Sequence, residues 1–417
     1  MHRVVVTGLG CVTPIGSTIE DVYSSLLSGT TGIGPFDSLP FLPDGVAPFG
    51  LRFTQMAQVR DFNPQAHLPS GTIAGSDRTS QFALVAARQA AQHSQFNQHY
   101  APHRMAAVFG CSTGGRISEE AETAKLYTRN ARPHPLTVIR TMANAGASHV
   151  SIDLGITGPV LTLSTACSSG THAIGLAFQM VRSGMADAAI AGGHEAPLSY
   201  GFLRAWDSMR VVSATQCRPF SADRDGMTLG EGAAMFTLET LASAQARNAP
   251  IYAEIVGFGM SADATHITNP ASSGAASAMR AALMDAASAP GAPSFESLLE
   301  QVGYINAHGT GTQANDSTEA AAIHDLFGPR ASTIPISSTK SLHGHSIGAT
   351  GAIEALITLL ALYHGKLPAT AGTLVVDPTL NLDVITRAPR EATPQLALSN
   401  SLAFGGLNAV LALRPYA

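Results

Sequence analysis

Short apolar runs alternate with helical spacings along this chain, and glycines punctuate most of the changes. Residues 4–7 (Val-Val-Val-Thr) form a run expected to be a buried strand ending at Gly8-Leu9-Gly10. Residues 78–93 carry apolar side chains at helical spacing. Residues 105–109 predict a second strand running into Gly110-Cys111-Ser112-Thr113-Gly114-Gly115. Residues 160–164 predict a third, leading to Cys167, and 168–183 a helix with Gly184 at the left-handed stop position. Residues 187–191 predict a fourth strand ending at Gly192-Gly193. Short apolar strands between helices imply an α/β fold with a mostly parallel sheet covered on both faces.

The same order recurs. Residues 253–259 resemble 4–10, and 302–306 before His308 mirrors 106–109 before Cys111. Residues 335–338, a turn and a helix over 351–363 mirror the Cys167 strand and its helix. The repetition implies duplicated halves, residues 1–250 and 251–417. Residues 34–70 are Pro-rich and weakly periodic, which suggests an irregular insertion, and 286–296 read as a surface loop. A helix is expected over 317–327, capped by Asp316 with Glu319 as capping-box partner and stopped by Gly328-Pro329.

Composition narrows the classes. The chain has 417 residues, of which 45% are hydrophobic and 13% charged. That charge content is about half the usual share. A net charge of −5 leaves no broad basic face, which argues against nucleic-acid binding. The most apolar stretch, 352–363, contains Glu354 and falls short of the roughly 20 residues of a membrane span. Four cysteines without CxxC spacing suggest free thiols in a reducing cytoplasm. Gly8-x-Gly10 does not continue into a dinucleotide fingerprint, and no phosphate-loop motif occurs. His343 and His345 stand two apart with no further ligand beside them, so no metal site is expected.

Cys167 is the strongest single candidate. It lies between an apolar run and a helix, where unpaired N–H groups and the helix dipole favour thiolate. His308 follows a strand and opens Gly309-Thr310-Gly311-Thr312, whose hydroxyls could bind an amide-bearing ligand. His345 lies five residues from Lys340, one of only three lysines. Glu354 interrupts an apolar helix and either reaches water or pairs with a buried cation such as Lys340. Phe404 precedes Gly405-Gly406, where backbone N–H groups could approach a substrate oxygen.

With these segments in order, the chain resembles the β-ketoacyl–acyl carrier protein synthases of the elongating, Cys–His–His type. The resemblance spans residues 4–16, the Cys167 segment, 217–226, 229–232, 306–312, 340–348 and 399–408. It implies a thiolase fold of two αβαβα halves in five layers, and a homodimer or a heterodimer with a related subunit. It implies that Cys167 accepts an acyl group from acyl carrier protein while His308 and His345 polarise the malonyl thioester as carbon dioxide leaves. The N–H groups of Cys167 and Phe404 would hold the oxyanion. Lys340 would order the histidines, with Glu354 supporting it. Thr310 and Thr312 would touch the phosphopantetheine arm, which the carrier protein supplies, so no resident cofactor and no metal are implied.

Some residues depart from the family pattern. Trp206 falls where a Phe commonly borders the acyl pocket, and Thr113 where a bulky aliphatic residue limits it. Leu402-Ala403-Phe404 replaces Phe-Gly-Phe. Residues 206–210 look more like synthases of specialised pathways, such as aryl polyene or nodulation-type assembly, than of housekeeping fatty-acid elongation. Arg210 matches a position that helps to dock acidic carrier protein. A thiolase would need a second cysteine near the C-terminus, whereas the last here is Cys217. A non-catalytic chain-length factor would have lost the nucleophile, which this chain retains.

Overall fold

The computed structural model describes residues 1–36 and 50–416. The first half contributes strands β1 (Val4–Val12), β2 (Met105–Gly110), β3 (Val160–Leu163), β4 (Ala188–Glu195) and β5 (Gly232–Thr240). Its principal helices are α1 (Arg78–Ser94), α2 (Ala145–Leu154) and α3 (Ser169–Ser183). The second half contributes β6 (Ala253–Ala262), β7 (Val302–Asn306), β8 (Pro335–Ser337), β9 (Leu396–Ala403) and β10 (Leu407–Pro415). Its principal helices are α4 (Ser272–Ala287), α5 (Gln313–Phe327) and α6 (Thr350–His364).

The strand orders are the same: β1-β5-β4-β2-β3 in one half and β6-β10-β9-β7-β8 in the other. In each, the last strand runs antiparallel to both neighbours and the three beyond it are mutually parallel. The sheets meet edge to edge, with Val4, Val5 and Val6 opposite Ile255, Glu254 and Ala253. Asp383–Val384 extends the second sheet beyond β8.

Helix α1 packs on β1 and β5, with α2 against it, and α4 packs on β6 and β10, with α5 against it. Helices α3 and α6 pack on each other and touch strands of both sheets. The result is an αβαβα stack with two apolar helices at its centre. Residues 347–364, α6 with its preceding turn, are long and apolar enough to cross a membrane, more than expected from 352–363, but 89% of that window is buried inside the fold.

Three expectations are corrected here. β1 does not stop at Gly8 but runs to Val12. Its glycines serve helix packing: a Cβ on Gly8 or Gly10 would come within 2.2 or 2.0 Å of the Ala90 or Ala86 carbonyl of α1. Gly257 and Gly259 of β6 stand equally close to Ala282 and Ala278 of α4. β4 likewise continues through Gly192-Gly193 to Glu195. Helix α5 begins at Gln313 and is capped by Thr312, which accepts from the Asn315 N–H, not by Asp316. Asp316 and Glu319 are buried and turned to other work. The expected insertion at 34–70 lies partly outside the described residues. Its described parts hold a small hairpin, Ile33–Pro35 with Gln55–Ala57, and a short helix from Ser70.

Candidate active site

The sulfur sits at the junction of β3 and α3. Ala166, just before it, has φ +50°, a left-handed conformation costly for a residue with a Cβ. The surroundings hold it there. The Ala166 carbonyl accepts from Ser112 Oγ at 2.8 Å and Ser169 Oγ at 2.7 Å. The turn aims Cys167, 5% exposed, into a cavity of about 110 Å³. The N–H groups of Phe404 and of Cys167 itself face the sulfur.

Burial outweighs every acidifying influence on this thiol. It pushes the pKa up to about 11, against the pull of the Lys340 charge and the two N–H groups. The expectation of a resting thiolate is therefore corrected: near neutral pH the group rests as a thiol. The start of α3 alone does not offset the loss of water around the sulfur.

His308 follows β7 in a loop clamped from below. The N–H groups of His308 and Gly309 each donate to the Glu319 carboxylate at 2.8 Å, and Asn400 Nδ2 donates to it at 3.1 Å. Asp316 accepts from the N–H groups of Gly311 at 3.2 Å and Phe220 at 2.8 Å. Lys340 opens a short helix to His343 and is fully buried. Its ammonium donates to the Glu354 carboxylate and the His308 carbonyl, and lies 3.2 Å from His308 Nδ1. Of the two courses open to Glu354, the structure takes the ion pair. Burial pushes the Glu354 carboxyl up from the usual range, and the paired Lys340 charge pulls it back.

These partners set the tautomers. An ammonium can only donate, so His308 Nδ1 accepts and its proton sits on Nε2. The Ile347 N–H donates to His345 Nδ1 at 3.1 Å, so His345 also carries its proton on Nε2. That Nε2 has no hydrogen-bond partner among the described residues, and His345 lines the cavity. Burial, then the Lys340 charge, holds both imidazoles well below the usual histidine range, so both are neutral. The rings lie 5.5 Å apart at 87°. The sulfur and one nitrogen of each imidazole lie within 4.8 Å of one another. A spacing of this kind can hold a metal, but two protonated Nε2 atoms are donors and not ligands in this arrangement.

Thr310 and Thr312 line the same cavity, with their hydroxyls 2.9 Å apart, and so does Phe404. Thr113 and Trp206 are not among the lining residues. Thr113 Oγ1 donates to Glu195 at 2.7 Å, behind the nucleophile turn. Trp206 stacks against Phe404. Arg210 is exposed and ends the helix Tyr200–Met209 with φ +57°. His343 turns away, with Nε2 3.1 Å from Thr339 Oγ1. Sequence reasoning missed Glu319 and Asp316 as clamps on the His308 loop. It also missed Glu195, which accepts from the Ser112, Thr113 and Gly348 N–H groups and so joins the nucleophile side to the His345 loop. For Glu195 the available signal was its acidity at the end of an otherwise apolar strand, whereas Asp316 and Glu319 sit in a polar helix start that offered none.

A buried thiol facing two neutral imidazole N–H donors and two backbone N–H groups, at the seam of duplicated halves, defines a thiolase-fold enzyme that works on acyl groups. The β-ketoacyl synthase N-terminal domain matches residues 1–244 and the β-ketoacyl synthase C-terminal domain residues 252–373, and the chain belongs to that ketosynthase family. It is 40% identical to nodulation protein E of Rhizobium meliloti (strain 1021) over 415 residues, 99% of each chain. It is 38% identical to 3-oxoacyl-[acyl-carrier-protein] synthase 2 of Staphylococcus aureus (strain COL) over 424 residues, 99% of this chain and 98% of the other. The solved ishigamide ketosynthase/chain length factor superposes with a TM-score of 0.90 at 32% identity, covering all of both chains.

Proposed function

We propose that this ketosynthase joins an acyl group on Cys167 to malonyl–acyl carrier protein by decarboxylative Claisen condensation, giving 3-oxoacyl–acyl carrier protein. The observation that carries the assignment of roles is the convergence of Cys167, His308 and His345 within 4.8 Å. In the first half-reaction the thiol attacks an acyl thioester, the bond from the carbonyl carbon to the phosphopantetheine sulfur breaks, and the Cys167 proton ends on that departing sulfur. The N–H groups of Cys167 and Phe404 hold the tetrahedral oxyanion. In the second, malonyl carrier protein loses carbon dioxide, and the Nε2–H groups of His308 and His345 stabilise the enolate oxygen. The enolate carbon attacks the acyl–Cys167 carbonyl, the carbon–sulfur bond breaks, and the sulfur takes up a proton. Neutral donors suit this chemistry because they add no charge that would favour the malonyl carboxylate over the enolate. Lys340 and Glu354 keep the His308 tautomer donating.

The carrier protein delivers the phosphopantetheine arm, which passes Thr310 and Thr312, and Arg210 meets its acidic surface. The enzyme assembles with a second copy or a related subunit and works in the cytoplasm. Four buried, free cysteines fit a reducing compartment. The acyl chain belongs to a specialised pathway, unsaturated or aryl-capped. Trp206, stacked on the cavity-lining Phe404, and the likeness to nodulation protein E support that reading. Incubation with saturated, polyenoyl and aryl-capped acyl carrier proteins, followed by intact mass, tests it. Acylation confined to Cys167 and lost in Cys167→Ala is expected, with polyenoyl or aryl chains preferred. A clear preference for long saturated chains overturns the pathway assignment.

A further inference from the structure

Trp206 is the one tryptophan of the chain. It is buried beside Phe53, Leu203, Met227 and Ile347, away from the reacting atoms. Its indole lies nearly parallel to the Phe404 ring, with centroids 5.9 Å apart and planes at 19°, and Phe202 meets it edge-on at 6.0 Å. The helix that carries it is anchored: Asp207 accepts from Arg52 at 3.0 Å, and Arg204 donates to the Gly50 carbonyl at 2.9 Å.

Phe404 needs such a support. It is only partly buried, and the glycines after it have φ +83° and +71°, so the backbone there has little stiffness of its own. Three bonds fix the turn's backbone: Gly405 N–H to the Ile267 carbonyl at 2.8 Å, Asp263 N–H to the Gly406 carbonyl at 2.9 Å, and Gly406 N–H to the Ala403 carbonyl at 3.0 Å. None of them fixes the Phe404 ring. The N–H at the root of that ring faces the Cys167 sulfur.

We propose that Trp206 is a positioning residue of the condensation: its indole face holds Phe404 so that the Phe404 N–H stays aimed at the thioester oxyanion. The indole itself touches no reacting atom. The inference rests on the roles proposed above for Cys167 and Phe404.

The test follows alkylation of Cys167 by iodoacetamide between about pH 7 and 10, located by peptide mass, in the wild type and in Trp206→Phe, Trp206→Leu and Trp206→Ala. Loss of the aromatic face slows alkylation about 2- to 12-fold, the range such a ring pair spans. It also moves the pH profile upward, because the sulfur loses an N–H that favours thiolate. Trp206→Phe stays near wild type, whereas Trp206→Leu, which fills volume without a π face, behaves like Trp206→Ala. In acyl transfer kcat falls by a similar factor while KM for acyl carrier protein holds.

Wild-type alkylation and kcat in Trp206→Leu, even with a lowered melting temperature, would make Trp206 a core residue only and overturn the inference. A wild type that no acyl carrier protein acylates at Cys167 overturns the proposed function as well. Acylation of the wild type together with an indifferent Trp206→Leu overturns the Trp206 inference alone.

Discussion

The two halves share a strand order but place different chemistry at the same joint. In the first, β3 passes through the brief segment 164–168 into α3, and the sulfur stands at the helix start with its preceding residue at φ +50°. In the second, β8 and α6 are separated by the longer segment 338–349, which brings Lys340, His343 and His345 into the core. The short connection leaves room for a single thiol, tightly held. The long one builds a charged and hydrogen-bonded shell that keeps two imidazoles neutral and donating. Duplication supplied the frame, and unequal loop length divided the labour.

That division can be broken by experiment. The largest effect is expected from His308→Ala. It removes one of the two proposed enolate donors and should lower condensation about 10²- to 10³-fold. Acylation of Cys167, followed by intact mass, should stay within about tenfold of wild type. An equal loss of both half-reactions would show that the halves do not divide the chemistry.

Glu319→Gln comes next. The amide keeps the shape but replaces one acceptor oxygen under the His308 and Gly309 N–H groups with a donor. Condensation should fall about 10- to 100-fold, because a small displacement of a positioned group is amplified in rate. Single-turnover assays of the two half-reactions should show acyl transfer less affected.

The smallest effect concerns stability. Burial, then the charge of Lys340, lowers His343 to about 3 in the folded chain, against an unfolded value of about 6.5. The unfolded state therefore binds the proton first, and His343 makes stability fall as pH drops below about 6.5. The slope from this one group is about 1.4 kcal/mol per pH unit. His343→Gln cannot titrate, so its unfolding free energy, from denaturant titrations at about pH 6.5 and 5, should decline less steeply than that of the wild type by about that amount. Identical slopes would show that His343 titrates normally in the fold.

Much of this architecture was legible in the chain. The alternation of apolar runs and helical spacings placed the strands leading to Cys167, His308 and Lys340, and the repeated order exposed the duplication. Gly8 and Gly10 misled, because a glycine inside a strand beneath a close-packed helix looks the same in sequence as one in a turn. Asp316 and Glu319 misled for a related reason. Their spacing near a helix start reads as capping, and only the neighbouring loop, with its unpaired N–H groups, claims both carboxylates for the site.

By itself the sequence determined which side chains could do chemistry and roughly which elements carry them, because periodicity and residue type are local properties. Tertiary structure alone decided the protonation states and the geometry. It withdrew water from Cys167 strongly enough to leave a resting thiol, set a lysine against one face of His308, and turned both Nε2–H groups toward one cavity. Burial and through-space charge depend on residues far apart in the chain, and no local pattern records them.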